Sequence, residues 1–214
     1  WHAMIVLINP NSTVSMTQAM LQTARQSVPN ADFEGWTSHD APPAIQGYAD
    51  GLRAEEPLLQ LVKQASDQNA SAIIIACFDD TGLAAARSIA NCPVIGIGQA
   101  AYHLAAVAGG RFSVVTTLDV SVPILEGNVR AYGLGGQLGK VRASGVAVLA
   151  LEKDPKAATD QVVAEIKTAV LEDDIQTVVL GCGGMVDIKQ ELGENPNLRV
   201  VDGERAAACF ASQF

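Results

Sequence analysis

The chain has 214 residues, 49% hydrophobic and only 5% aromatic, which allows one large domain or two small ones and favours helix-on-sheet packing over an aromatic-rich β-sandwich. Its formal charge of −9, from 14 Lys+Arg against 23 Asp+Glu with no basic cluster, argues against a nucleic-acid or anionic-lipid partner. No apolar run approaches the roughly 20 residues needed to span a bilayer, and no signal-peptide layout opens the chain, so a soluble, cytoplasmic protein with no membrane partner is expected.

Trp1, His2 and Ala3 precede Met4 and are expected to lie outside the fold. From there the runs 4–8 (MIVLI), 72–78 (AIIIACF), 94–97 (VIGI), 112–116 (FSVVT), 145–149 (GVAVL), 177–181 (TVVLG) and 199–202 (RVVD) are apolar on consecutive positions. Strands buried on both faces have that pattern, and it predicts parallel sheet. Helical spacing fills 13–27, 55–69, 81–91, 99–108, 119–132, 157–173 and 203–212, with start signals at Asn11-Ser12-Thr13 and Asp80-Thr81 and with Pro29 and Pro93 after two helix ends. Segment 30–54 is Gly- and Pro-rich and reads as a functional loop, whose Trp36 and Tyr48 either cover a pocket or anchor the loop.

The chain repeats itself at long range. Strand 5–9 running into NPNST has a counterpart in 112–116 running into TTLDV, PVIGIGQAA has one in RVVDGERAA, and SAIIIACFDDTGL aligns with QTVVLGCGGMVDI. All three pairs are separated by nearly the same length of chain, which predicts an α/β fold of two pseudo-symmetric lobes, each a parallel-type sheet flanked by helices. The expected division is residues 4–98 with 204–214 in the first lobe and 99–203 in the second, helix 99–108 packing on the second half and helix 203–212 on the first.

Cys77, Cys92, Cys182 and Cys209 have no CxxC or CxxH spacing, so they form neither a disulfide framework nor a zinc site. Cys92 and Cys209 read as packing residues, and His39 and His103 have no partner at catalytic or metal spacing. Cys77 and Cys182 differ because the repeat puts each at the carboxyl end of a buried strand, where ligands bind in open parallel sheets. Two thiols facing each other across a cleft suit proton transfer at a stereocentre: one thiolate removes a proton from one face of a carbon and the opposite thiol returns one to the other, with no metal or organic cofactor. Amides of the turns after the cysteines, helped by a helix dipole, are expected to lower the thiol pKa towards neutral.

INPNST at 8–13, ACFDDTGL at 76–83, FSVVTTL at 112–118, LGCGGM at 180–185 and VVDG at 200–203 occur in the order and form of the hydantoin/allantoin racemase branch of the aspartate/glutamate racemase superfamily, which the chain resembles over nearly its whole length. The resemblance implies cofactor-independent racemisation by a two-thiol mechanism on a two-lobed fold, usually in a homo-oligomer. It also implies that Cys77 and Cys182 are the acid/base pair and that Asn11, Ser12, Ile45, Asp79, Asp80, Thr116, Thr117, Gly183 and Gly184 bind a small-molecule substrate. Gly183 departs from the alanine common after the cysteine in such enzymes, which bears on substrate preference.

The motifs contain no Arg or Lys to hold a carboxylate, whereas Asp79 and Asp80 stand beside the first thiol and suit the N–H donors of a neutral cyclic ureide, a 5-substituted hydantoin or allantoin. Asp80 also reads as a helix cap beside Thr81, and Asn11 as a turn residue. The alternatives are an aspartate/glutamate-type racemase, a dicarboxylate cis-trans isomerase, and a small-molecule binding module without catalysis, which would tolerate loss of either thiol.

Overall fold

The computed structural model describes residues 4–182, 188, 192 and 197–214. Its first half alternates strand and helix: β1 Met4–Asn9, α1 Val14–Ser27, β2 Asp32–Thr37, α2 Tyr48–Asp67, β3 Ala72–Ile75, α3 Leu83–Ile89, β4 Val94–Gly96 and α4 Ile97–Val107. The second half repeats the scheme with β5 Phe112–Thr116, α5 Val122–Ala131, β6 Leu138–Ala143, α6 Ala150–Lys153, α7 Pro155–Glu172, β7 Thr177–Gly181, β8 Arg199–Asp202 and α8 Gly203–Ala211.

Every strand pairing is parallel, and among the described residues the sheets have matching orders, β2-β1-β3-β4 and β6-β5-β7-β8. The internal repeat of the sequence is therefore a repeat of topology, two α/β lobes of the same connectivity. In the central strands alternate residues face opposite sides, and both sides are covered. Val6, Ile8, Ile73 and Ile75 meet α2 through Leu58 and Val62, while Leu7 and Ile74 turn to the other face, towards α1, α4 and α8. Val115, Val178 and Leu180 likewise meet α7 through Val162 and Ile166.

The remaining faces of the two sheets share one core. Leu7 and Ile74 of the first lobe and Val114 and Val179 of the second belong to a single buried cluster, bridged by Ala100, Ala101, Tyr102 and Ala105 of α4 and Ala206, Ala207, Ala208 and Ala211 of α8. Small side chains let these two helices pack closely against each other. Both helices touch both sheets: α4, which follows the first, meets β4 and also β7, β8 and α5, and α8, which follows the second, meets β7 and β8 and also α1, β3 and β4.

Two sequence expectations fail at sheet edges. The run 145–149 is not a strand: Gly145 takes a left-handed φ of 78°, and Val146 and Val148 are buried as loop residues. The strand of that region is β6, LGKVRA, whose charged residues hid it. Similarly β2, DFEGWT, lies inside the segment read as a functional loop. Both have a polar side that breaks the consecutive apolar pattern. Helix α2 also begins earlier than expected, at Tyr48, in a stretch that reads as loop because of Gly47 and Gly51.

Candidate active site

β3 ends at Ile75 and β7 at Gly181, so Ala76-Cys77 and Cys182 emerge at the carboxyl ends of corresponding strands in the two sheets. Both thiols are half-buried, and both line one cavity of about 50 Å³. The two lobes thus contribute one cysteine each to the same space.

The first lobe's wall is built on the turn after β1. Asn9, fully buried, donates from Nδ2 to Asn11 Oδ1 at 2.9 Å and to Thr17 Oγ1 at 3.0 Å, while its own Oδ1 accepts from the Asn11 amide at 3.1 Å. Asn11 Oδ1 also accepts from the Thr13 amide at 2.9 Å, which fixes the orientation of the Asn11 amide group. Its Nδ2 meets only the Sδ of Met16 at 3.5 Å, a weak acceptor, so the side chain presents N–H donors towards the cavity. Met16 and Met20 of α1 and Ile45 from the loop before α2 make this wall otherwise apolar.

From the second lobe come Thr116 and Thr117 at the end of β5, Ser121 just before α5, and Val148 from the 145–149 loop. Thr116 spends its hydroxyl proton on the Gly181 carbonyl at 2.9 Å and keeps its oxygen as an acceptor. Among the described residues the cavity wall carries no Lys, Arg or His.

The electrostatics around Cys77 differ from the sequence expectation. Burial first, then the neighbouring Asp79 charge, push the thiol well above its ordinary value, and the Cys182 sulfur adds to this. The Thr81 hydroxyl, 3.5 Å from Sγ, and the Asp79 backbone amide act in the lowering direction but are outweighed. The expected help from a helix N-terminus is missing because α3 starts only at Leu83, and the amide of Asp80 turns back to the Cys77 carbonyl at 3.0 Å. Asp79 is itself raised by burial to about 7.

Of the residues expected at the site, Asn11, Ile45, Cys77, Asp79, Thr116, Thr117 and Cys182 surround the cavity. Ser12 stands outside the lining, its backbone amide bound to the Pro42 carbonyl at 3.0 Å. Asp80 is also outside, and its carboxylate points away into the protein, accepting from the amides of Gly98 (3.0 Å) and Gln99 (2.8 Å) and from the Tyr132 hydroxyl (2.8 Å). It therefore caps α4 rather than reaching into the cavity. Gly183 and Gly184 lie outside the described residues. Sequence reading missed Met16, Met20, Ser121 and Val148. For Ser121 the repeat offered a signal, since TTLDVS leads into α5 as NPNST leads into α1.

Residues 5–211 match the family of Asp/Glu/Hydantoin racemases. The chain belongs to this family. Its relatives include a hydantoin racemase of Rhizobium meliloti, 44% identical over 209 residues that make up 97% of this chain and 86% of that one. Among solved structures, an allantoin racemase from Klebsiella pneumoniae superposes with a TM-score of 0.94 at 33% identity, covering 99% of this chain and 86% of that one. A glutamate racemase from Bacillus anthracis, at 20% identity and a TM-score of 0.73 over 99% of this chain and 81% of its own, shares the fold. As an Asp/Glu/Hydantoin racemase family member the chain is an isomerase of the racemase class, and its similarity runs to the hydantoin and allantoin branch.

Proposed function

We propose that the chain racemises a neutral cyclic ureide, a 5-substituted hydantoin or allantoin, with Cys77 and Cys182 as opposed acid and base. The observation that carries this reading is a single cavity lined by one cysteine from each lobe with no cation in its described wall. One thiolate takes the proton from the ring carbon, and the electron pair of that C–H bond moves to the adjacent carbonyl oxygen as an enolate. The opposite thiol then gives its proton to the other face of the carbon and is left as the thiolate, so charge and protons balance and no cofactor is needed. The Asn11 Nδ2 donors suit the enolate oxygen, and the Asp79 carboxylate suits a ring N–H. The raised pKa of Cys77 fits this chemistry, because a thiolate formed against that tendency is a stronger base towards carbon.

A dicarboxylic amino acid fits less well. Its two carboxylates would enter a wall without a guanidinium or ammonium group and meet Asp79. The resemblance extends the proposal to a homo-oligomer, which light scattering tests: a monomer mass at every concentration would remove that part. The functional test is the loss of optical rotation of a single-enantiomer 5-alkylhydantoin, of allantoin and of L-glutamate. Turnover of a ring and not of glutamate is expected, and turnover of glutamate alone would overturn the substrate class.

A further inference from the structure

The turn that carries Cys77 is held from the opposite lobe. Tyr132, which closes the C-terminal end of α5, donates its hydroxyl to Asp80 Oδ2 at 2.8 Å, and four residues earlier on the same helix Asn128 Nδ2 donates to the Asp79 carbonyl at 2.9 Å. α5 begins just after Ser121, a residue of the cavity wall, so one helix of the second lobe touches both the reactive cavity and the turn behind the first-lobe thiol.

What these two side chains grip is a tight structure. Asp80 has a left-handed φ of 51°, a conformation uncommon outside glycine though more accessible to Asp than to most residues. The surroundings hold it there on both sides. Backbone amides of Gly98 and Gln99 take the two carboxylate oxygens, and glycines make room for them: a Cβ at Gly96 would collide with Asp80 Oδ1, and one at Gly98 would stand 2.8 Å from Oδ2 and 2.5 Å from the Phe78 carbonyl. The Asp80 amide closes the turn onto the Cys77 carbonyl at 3.0 Å, and Thr81 contacts the Cys77 sulfur at 3.5 Å. Displacing Asp80 therefore displaces the thiol.

We propose that Tyr132 and Asn128 are positioning residues, reaching across from the second lobe to fix the 77–81 turn and so to set where Cys77 stands relative to Cys182. The kinetic part of this inference rests on the two-thiol reading above; the placement of the turn does not. A thiol misplaced by about 1 Å costs on the order of 100-fold in rate. Tyr132 and Asn128 touch neither the cavity nor a reacting atom, so their loss acts through the turn: kcat falls as Cys77 shifts, and KM rises only as far as Asp79 shifts with it.

The experiment uses Tyr132→Phe, which keeps the ring near Tyr102 and His103 (centroids 6.2 Å away in each case), together with Asn128→Ala. Two quantities are read in the full-length protein: kcat and KM for a single-enantiomer hydantoin, and the iodoacetamide alkylation rate of Cys77 without substrate, normalised to exposed Cys209 by peptide mass spectrometry. The expected result is kcat lowered by about 10-fold or more, with any rise in KM smaller than the fall in kcat, and a several-fold change in Cys77 alkylation. A rise in KM alone, or an unchanged alkylation rate with full kcat in both variants, would overturn the inference. Should the unaltered protein racemise nothing, the proposed function falls, while the alkylation rates still decide whether Tyr132 and Asn128 hold the turn.

Discussion

Burial makes Cys77 a reluctant acid, and that property sets what its loss should do. Serine has a far higher pKa and cannot serve as the base, so Cys77→Ser and Cys182→Ser are each expected to lower racemisation by on the order of 10²- to 10⁴-fold, read by polarimetry. Retention of full activity by either would remove that residue from the acid/base pair. Asp79 gives a pH signature. Its carboxyl is raised by burial to about 7, so the carboxylate proposed to accept a ring N–H forms only as pH rises through that value, and kcat/KM is expected to climb to a plateau above it. Asp79→Asn should flatten this limb, and an unchanged profile would mean that Asp79 does not hold substrate. The linkage to stability runs the opposite way. Asp79 and Asp80, both raised from 3.8 to about 7, bind protons more tightly folded than unfolded, so their contribution to stability falls as pH rises across that window and is level above it. Single residues were only partly legible in the sequence. The repeat placed Cys77 and Cys182 at matching strand ends, and both line the cavity, but adjacent Asp79 and Asp80 look alike in one dimension, and only the left-handed turn separates them, sending one side chain to the cavity and the other to α4.

At the scale of elements, the strands found and missed divide by their charges. The interior strands β1, β3, β5 and β7 and the edge strands β4 and β8 contain apolar runs, whereas the edge strands β2 and β6 carry charges that interrupt the pattern. Arg142 of β6 is the clearest case. It is 8% exposed and binds Asp173 through Nε at 2.8 Å and Nη2 at 2.6 Å, with Glu165 and Glu172 on its other side, and Ser113 of β5 adds a hydroxyl to Asp173 at 2.7 Å. Burial opposes the charge on Asp173, but the Arg142 and Ser113 hydrogen bonds outweigh it and hold the carboxyl below its ordinary value. Truncating Arg142 to Ala leaves the buried Asp173 carboxylate without its ion-pair partner and with the Ser113 hydroxyl as its remaining donor, so a loss of about 3 kcal/mol in urea unfolding is expected. Arg142 does not line the cavity, so the loss is expected in stability rather than in kcat per folded molecule. A loss under about 1 kcal/mol would mean that water replaces the guanidinium and that the pair does not anchor the edge.

The whole molecule is organised around the core that the two lobes share. Because Leu7 and Ile74 pack in the same cluster as Val114 and Val179, with helices α4 and α8 between them, neither lobe has a complete core alone. Urea unfolding is therefore expected to be a single transition, with the fluorescence of Trp36 in the first lobe and far-UV circular dichroism giving the same midpoint. Separate midpoints would show lobes of independent stability. The same packing explains a tight constraint at Gly203, where a Cβ would stand 2.8 Å from the Ile97 carbonyl, so Gly203→Ala should cost about 1–3 kcal/mol by forcing α4 and α8 apart. The two-lobed architecture was readable because duplication leaves matching motifs in sequence. How closely the lobes lock together was not, since it depends on contacts between residues half a chain apart.

The most direct test of the two-thiol claim is hydrogen exchange at the ring carbon in D₂O, followed by NMR for each enantiomer of a 5-alkylhydantoin with the unaltered chain, Cys77→Ser and Cys182→Ser. Opposed thiols predict that the unaltered chain forms deuterated product from either enantiomer, while each serine variant exchanges a different single enantiomer without inverting it. Exchange of the same enantiomer by both variants, or continued inversion by either, would contradict an acid and a base on opposite faces of the substrate.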